Sequence, residues 1–252
     1  MPSRLEVALV TVLATLALSS ALLAQTDARG ASQGAAASAQ SAGSSHDLSG
    51  VWNALRNPYD FSSFAKGDPP MTPWGEEQFK AAKPSQGPRG VLLSQTNDMV
   101  YKCFPPGMPY IYLQVFPFQI VQTPTEVIEL FEYDHFVRHI YINGRKHPAD
   151  LTPTYDGDSI GHWEGDTLVV DTAGLNGKIW LDRVGHPESD QMHITERIRR
   201  VDEKTLQIDF TFDDPKAYPK PWNATLRYGL HPTWEIMEHI CEENQAFEGF
   251  EK

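Results

Sequence analysis

Short β-prone segments follow one another from Phe118 to Cys241, and this succession constrains the fold more than any other feature of the chain. Branched and aromatic residues fill the segments, and turn-forming pairs such as Asn143-Gly144 and Asp156-Gly157 separate them. Such close spacing indicates a mainly β protein built as an antiparallel up-and-down meander. The predicted strands span residues 118–123, 127–134, 136–142, 159–163, 167–172, 192–201, 205–212, 224–230 and 234–241.

A meander of this length has to protect its two open edges, because unpaired strand edges promote aggregation. Closure into a lipocalin-like β-barrel is therefore the predicted fold, and a β-sandwich is the second choice. Alternation supports half-buried strands, since Leu206, Ile208, Phe210 and Phe212 share one face of their segment. The Gly-x-Trp sequence that begins at Gly50 is also typical of the first strand of lipocalin-type barrels.

One short helix is predicted ahead of these strands, over residues 71–83. Thr72 is a suitable N-cap, Pro73 suits the first helical position, and Glu76 is assigned to a capping box. Pro84 is expected to end the helix, because proline cannot continue the helical hydrogen bonds.

The amino-terminal region has the composition of an export signal followed by a linker. Residues 1–24 combine Arg4 with an apolar run from Val7 to Ala24 and small residues near its end, which predicts a signal peptide. An uncleaved membrane anchor is the alternative, because the run approaches the ~20 residues that span a bilayer. Residues 25–45 are mostly Ala, Ser, Gly and Gln and predict a flexible linker, which leaves a single β domain at 46–252. We therefore expect a periplasmic or extracellular protein.

The net charge of −12 limits the classes of partner. Nucleic acids and anionic membrane surfaces select for basic proteins, so neither is an expected partner. A small-molecule ligand is the expected partner, without stable membrane insertion once the signal has been cleaved.

The chain contains two cysteines, Cys103 and Cys241. In an exported protein an isolated pair predicts a disulfide. Two free thiols or a pair of metal ligands are the alternatives.

The densest group of ionisable residues lies between Gly161 and Arg200 and predicts a functional site. His186 and His193 are the candidate proton-transfer groups, because imidazole titrates near neutral pH. Glu196 or Asp182 would orient them, and Glu196 itself interrupts an apolar strand face, where a carboxylate must be paired or perturbed. A structural ion pair between Glu196 and Arg138 is the alternative.

The predicted pocket has one wall at 176–196 and an opposite wall that contains His135 and Arg138. Arg138 would hold an anionic or carbonyl group, and Trp163 and Trp180 would stack on a substrate ring, although such tryptophans also plug barrel ends. No cofactor is required. A divalent metal is left open, with candidate ligands His135, His186 and His193.

The chain resembles a family of exported bacterial proteins over most of its length, from Asp47 to Asn244. The resemblance implies a shared fold and no particular reaction. Glu188 departs from the pattern, because similar proteins often carry a histidine there. The segments that carry the resemblance include GHWEGDTLVVDT, WLDRVGHPESD, HITERIRRVD and CEEN.

Two functional hypotheses follow from these residues. The first is an exported enzyme that uses acid/base chemistry, as a lyase, isomerase or hydrolase, on a sugar-like or other small organic substrate. The second is a non-catalytic ligand-binding barrel with its ligand in the lumen.

Overall fold

Nine strands close into a barrel in which each strand pairs with its neighbours in sequence and the first pairs with the last. The computed structural model describes residues 46–56, 59–61 and 68–245; the predicted signal peptide and linker lie outside this range. The strands are β1 (Gly50–Ala54), β2 (Phe118–Gln122), β3 (Glu126–Phe131), β4 (Val137–Tyr141), β5 (Asp158–Glu164), β6 (Thr167–Ala173), β7 (His193–Asp202), β8 (Thr205–Asp213) and β9 (Trp222–Leu230). The predicted mainly β fold and its closure into a barrel are confirmed.

The prediction of a purely antiparallel meander is wrong at one place, because β4 and β5 pair in parallel. Ile140 pairs with Ser159 and Tyr141 with Ile160, whereas the other neighbouring strands run antiparallel. Sixteen residues separate Tyr141 from Asp158, which is long enough for the crossover that a parallel pair requires.

The predicted strand at 234–241 is also wrong. Residues 235–240 have no regular secondary structure, and Cys241 starts the short helix α2 (Cys241–Gln245). Backbone N–H groups in this region donate to carboxylates of a neighbouring loop instead of to a strand: Met237 to Glu132 at 3.0 Å and Cys241 to Asp134 at 3.3 Å. The ninth strand is instead β1, which closes the barrel by pairing with both β2 and β9.

The predicted helix is present as α1 (Pro73–Ala81), and Thr72 caps it by accepting a hydrogen bond from the backbone of Gly75 at 3.1 Å. The capping-box assignment of Glu76 is wrong, because Gly75 occupies the third helical position. Glu76 instead forms an exposed i,i+4 ion pair with Lys80 at 3.1 Å. Among the described residues, short 3-10 turns add to the helical content at 93–95, 100–102, 110–113 and 133–135.

Side chains fill the barrel lumen. Tyr112 is fully buried, and its ring lies between 5.5 and 6.3 Å from four aromatic rings of the surrounding strands, those of Phe118, Phe131, Phe210 and Tyr228. The hydroxyl of Tyr228 donates to the backbone carbonyl of Tyr112 at 2.8 Å, which fixes the 110–113 turn inside the barrel. Packed aromatic rings of this kind are a core and not an open ligand cavity.

The predicted disulfide between Cys103 and Cys241 is confirmed, and it joins cysteines 138 residues apart in the chain. The bond attaches the carboxy-terminal segment to the loop that precedes the 110–113 turn. None of the helices in the described part of the chain combines the length and the apolar character needed to cross a bilayer.

Candidate functional site

A network of buried polar side chains lies in the barrel interior with Arg138 at its centre. The Arg138 guanidinium donates to Glu129 at 3.1 Å, to both carboxylate oxygens of Glu196, to Thr172 at 2.9 Å and to Ser159 at 3.0 and 3.2 Å. The side chains of Arg138, Glu129 and Glu196 are at most 1% exposed. This arrangement corresponds to the ion-pair alternative for Glu196.

The pKa directions in this network reflect burial and close pairing. Burial raises the pKa of Glu129, although Arg138 opposes the effect. Burial alone would lower the pKa of Arg138, but the carboxylate of Glu196 and its other partners raise it well above its usual value. Tyr112 completes the network by donating to Glu129 at 2.7 Å. The catalytic role of Glu196 and the substrate-binding role of Arg138 stay predictions.

His186 lies in the loop between β6 and β7, and Asp182 holds it in place. Its Nδ1 atom lies 2.5 Å from Oδ2 of Asp182, and Oδ1 of Asp182 accepts the backbone N–H groups of Val184 and His186 at 3.1 Å each. The imidazole stacks on the ring of Phe79 from α1, with centroids 4.8 Å apart and an angle of 13°. The sequence therefore brings Asp182 and His186 together through a tight turn of the loop.

The other ring nitrogen of His186, Nε2, is buried and has no hydrogen-bond partner among the described residues. Asp68, whose side chain is 68% exposed, places a carboxylate oxygen 3.9 Å from this atom. Burial alone would lower the pKa of His186, but the charge and the hydrogen bond of Asp182 raise it above the ordinary value on balance. The imidazole is thus oriented through Nδ1, while its Nε2 faces the Asp68 carboxylate without a hydrogen bond.

Glu188 is the second unusual group of this loop. Both of its carboxylate oxygens are buried without a hydrogen-bond partner in the described part of the chain. Burial, and to a lesser extent the charge of Asp214, raise the pKa of this carboxyl group well above the usual value, which favours its protonated form. The neighbouring Ser189 donates its hydroxyl to Asp214 at 2.6 Å, so the serine is held by an aspartate and not by His186.

His193 does not join His186, although both were predicted to be catalytic. It points outward from the start of β7, where its Nε2 lies 3.1 Å from Asp171 of β6. His147, from the β4–β5 connection, contacts the other oxygen of Asp171 at 3.2 Å. Among the described residues, His147, Asp171 and His193 form the group whose atoms are close enough to share a metal ion.

The structure does not bring the three candidate metal ligands His135, His186 and His193 together. His135 is exposed in a 3-10 turn with a φ of 51°, and His186 is held by Asp182 inside the loop. Only His193 belongs to the group found by geometry among the described side chains. His147 was missed although its Arg-Lys-His-Pro context follows a tight turn, and Asp171 was missed because it is a single charged residue at an outward position of its strand.

The predicted pocket between 176–196 and the pair His135 and Arg138 stays a prediction, and the structure places the two residues of that pair in different environments. Arg138 meets this segment inside the barrel at Glu196, and His135 lies at the exposed surface. Trp163 stacks on His46 with ring centroids 4.5 Å apart, and Trp180 is half-buried beside the backbone of Pro187.

A depression of about 520 Å³ lies away from these predicted pocket residues. It is lined by Ala54, Leu55, Arg56, Gln207, Thr225, Leu226, Arg227 and Tyr228.

Compared with known proteins, the chain matches no protein-family model and no curated protein sequence. Geometry and chemistry of the described residues therefore have to indicate the function.

Proposed function

We propose that this protein is an exported acid/base enzyme, a lyase, isomerase or hydrolase, that acts on a sugar-like or other small organic substrate. His186 is the proton-transfer group and Asp182 is its positioning residue. The observation that carries this proposal is the state of the imidazole, which is fixed through Nδ1 at 2.5 Å while Nε2 has no hydrogen-bond partner among the described residues. A carboxylate that orients one nitrogen of an imidazole leaves the other free to exchange protons with a substrate.

The electrostatics of the loop favour proton donation as the first step. Because Asp182 raises the pKa of His186 despite burial, it favours the protonated ring, which would act first as a general acid. After donation, the neutral ring can accept a proton at the same Nε2 atom. The stacked ring of Phe79 keeps the imidazole plane fixed during both steps.

Two further groups of the same region fit a small polar substrate. Asp68 lies 3.9 Å from Nε2 and is largely exposed, so this nitrogen is close to the protein surface. Glu188 lies two residues from His186, and the raised pKa of its carboxyl group favours the protonated form, which can donate a hydrogen bond to an oxygen of a bound substrate.

The exported location is supported by the Cys103–Cys241 disulfide. Disulfides persist in oxidising compartments such as the periplasm and the extracellular space, and they are rare in the cytosol. The predicted signal peptide at 1–24 agrees with this location but lies outside the described residues.

The alternative is a non-catalytic ligand-binding barrel, and one observation favours it. The depression of about 520 Å³ has the volume of a small-ligand site and includes the exposed Leu55 beside Arg227. A ligand there would bind outside the lumen, which aromatic rings and the Arg138 network fill. Binding of this kind would not depend on His186.

The test is proton transfer by the purified protein in D₂O. A panel of sugars, hydroxy acids and sugar esters is incubated with the wild-type protein, and mass spectrometry records deuterium incorporation and product formation. We expect turnover of at least one panel member, with kcat lowered by about a hundredfold or more in His186→Gln. His139→Gln is the matched control, because this exposed histidine pairs with Glu126 on the outer face of β4.

Circular dichroism establishes that each variant is folded before its activity is compared. Unchanged turnover in folded His186→Gln contradicts the assignment of His186. Ligand binding that persists in this variant without turnover of any panel member by the wild type supports the binding alternative.

A further inference from the structure

The outer face of three adjacent strands carries a second group of ionisable side chains, on the opposite side of the sheet from the buried Arg138 network. Ser159, Thr172 and Glu196 point into the barrel, where Arg138 contacts them. Side chains alternate along a strand, so Asp158, Asp171 and His193 point outward from β5, β6 and β7. His147 lies against this face from the long β4–β5 connection.

We infer that His147, Asp171 and His193 form a binding site for a late first-row divalent cation, with Zn²⁺ as the best fit. The inference does not depend on the proposed function, because neither His186 nor Asp182 belongs to this group. Two imidazoles and one carboxylate are a ligand set that Zn²⁺ commonly takes in proteins, and the same set also suits Fe²⁺, Co²⁺ and Ni²⁺.

The distances between the three side chains are close to those of a metal site. Nε2 of His147 lies 3.2 Å and Nε2 of His193 lies 3.1 Å from the two oxygens of Asp171, and the three ligand atoms all lie within 4.8 Å of one another. Tetrahedral ligands at about 2.0–2.2 Å from Zn²⁺ are separated by roughly 3.4 Å. Small side-chain rotations therefore suffice to bring the three atoms around one ion.

A second carboxylate orients one of the proposed ligands. Oδ2 of Asp158 lies 2.6 Å from Nδ1 of His147, and Arg145 holds the same carboxylate in an ion pair. Metal-binding histidines usually donate their second ring N–H to a carboxylate or a carbonyl, which fixes the tautomer and the direction of the ligating nitrogen. Asp158 is positioned to do this for His147, so that Nε2 faces Asp171.

The partial exposure of the site distinguishes it from a closed structural zinc site. The side chains of Asp171 and His193 are 39% and 45% exposed, and that of His147 is 21% exposed. Three protein ligands on an open surface leave at least one coordination position for water or for an oxygen atom of a ligand. The site would therefore bind a cation together with an exchangeable small ligand.

The test uses the untagged full chain, because tag histidines bind the same metals. The protein is treated with EDTA, exchanged into chelator-free buffer and titrated with ZnCl₂ by isothermal titration calorimetry. Cobalt(II) chloride is added in a parallel experiment, and the visible absorption bands of four- or five-coordinate Co²⁺ report protein ligation. We expect one equivalent of each metal to bind and the Co²⁺ bands to appear.

Variants assign the ligands. His193→Gln and Asp171→Asn should each lower the Zn²⁺ affinity by at least about tenfold, and Asp158→Asn, which acts through His147, by about ten- to a hundredfold. His162→Gln is the matched control, because this exposed histidine on the outer face of β5 pairs with Glu164 without a third ligand. It should bind Zn²⁺ as the wild type does.

Absence of Zn²⁺ binding overturns the inference, and so does equal affinity in the wild type, His193→Gln and Asp171→Asn. In that case the contacts among the three side chains are ion pairs and hydrogen bonds alone. If a variant is unfolded by circular dichroism, the Co²⁺ spectrum of the wild type decides, since a spectrum of hexaaqua Co²⁺ overturns the inference. Every variant used here retains His186. A negative result in the metal titration therefore leaves the proposed role of His186 untouched, and a negative result in the D₂O experiment leaves the cation site untouched.

Discussion

Arg138 on β4 and Glu196 on β7 are 58 residues apart in the chain, and they meet through two hydrogen bonds inside the barrel, one of them from Nη1 to Oε1 at 3.0 Å. Both charges are removed from water, which costs several kcal/mol per ion unless close partners compensate. Glu129 contributes a second carboxylate to the same guanidinium at 3.1 Å. The ion pairs of Arg138 inside the barrel are therefore expected to affect the stability of the fold.

The first prediction concerns this network. Arg138→Met should lower the free energy of unfolding by about 3–5 kcal/mol, because it leaves Glu129 and Glu196 buried without a cation. Arg197→Met is the control, since Arg197 points outward from β7, the strand of Glu196, and pairs with the half-exposed Glu164, a type of pair that contributes about 0–1 kcal/mol. Urea denaturation measures both changes. Similar losses in the two variants would contradict a structural role for the network.

Local sequence patterns were enough to predict most strands of the barrel. Strands such as β8 alternate apolar and polar residues over nearly their whole length, and the predicted 205–212 differs from the observed Thr205–Asp213 by one residue. The parallel pairing of β4 with β5 could not be predicted, because the direction of a strand after a long connection depends on distant contacts. For β1, the Gly-x-Trp sequence at Gly50 indicated a first strand, but the pairing of its five residues with both β2 and β9 depends on distant contacts.

The second prediction concerns the disulfide. Replacing both cysteines, as Cys103→Ser with Cys241→Ser, should lower the free energy of unfolding by about 4–5 kcal/mol, since the bond closes a loop of more than a hundred residues in the unfolded chain. Urea denaturation of the double variant and the wild type gives this difference. Mass spectrometry of the non-reduced, denatured wild type should show no alkylation by iodoacetamide. Quantitative alkylation would contradict the disulfide.

The composition of the 176–196 segment indicated a site but not its geometry. Asp182 and His186 were predicted as partners, and a single turn of the loop brings them to 2.5 Å. The separation of His186 from His193 depends on which side of the sheet the loop packs, and no local pattern encodes that. The group around His193 could not be predicted for the same reason, because its second histidine, His147, reaches Asp171 from a crossover connection more than forty residues earlier in the chain than His193.

The third prediction uses the buried carboxyl group of Glu188. Its pKa is raised in the folded protein, so the unfolded chain releases a proton above about pH 4.5 while the folded chain does not. Relative to Glu188→Gln, the wild type should therefore lose up to about 1.4 kcal/mol of stability per pH unit as the pH rises from 4.5 towards the folded-state pKa. The two proteins should show no such divergence below pH 4.5.

Urea denaturation between acidic and neutral pH measures this difference. Glu77→Gln is the control, because this glutamate lies on the exposed side of α1. A wild type and a Glu188→Gln variant whose stabilities run parallel over the whole range would show that the Glu188 carboxyl group is ionised or partnered in solution.

The fourth prediction concerns the pair Asp182 and His186. Asp182→Asn should lower the pKa of His186, because it removes the charge that opposes the effect of burial, while the amide oxygen can still accept the backbone N–H groups of Val184 and His186. NMR titration of protein labelled with ¹⁵N-histidine measures the pKa in both proteins. The wild-type value should lie above 6.5, the ordinary value for histidine, and the variant value below that of the wild type.

A raised folded-state pKa stabilises the protein fully below pH 6.5, and this contribution is lost as the pH rises through the folded-state pKa. The stability advantage of the wild type over Asp182→Asn should shrink over the same interval. Equal His186 pKa values in the two proteins would show that Asp182 does not raise the pKa of the imidazole.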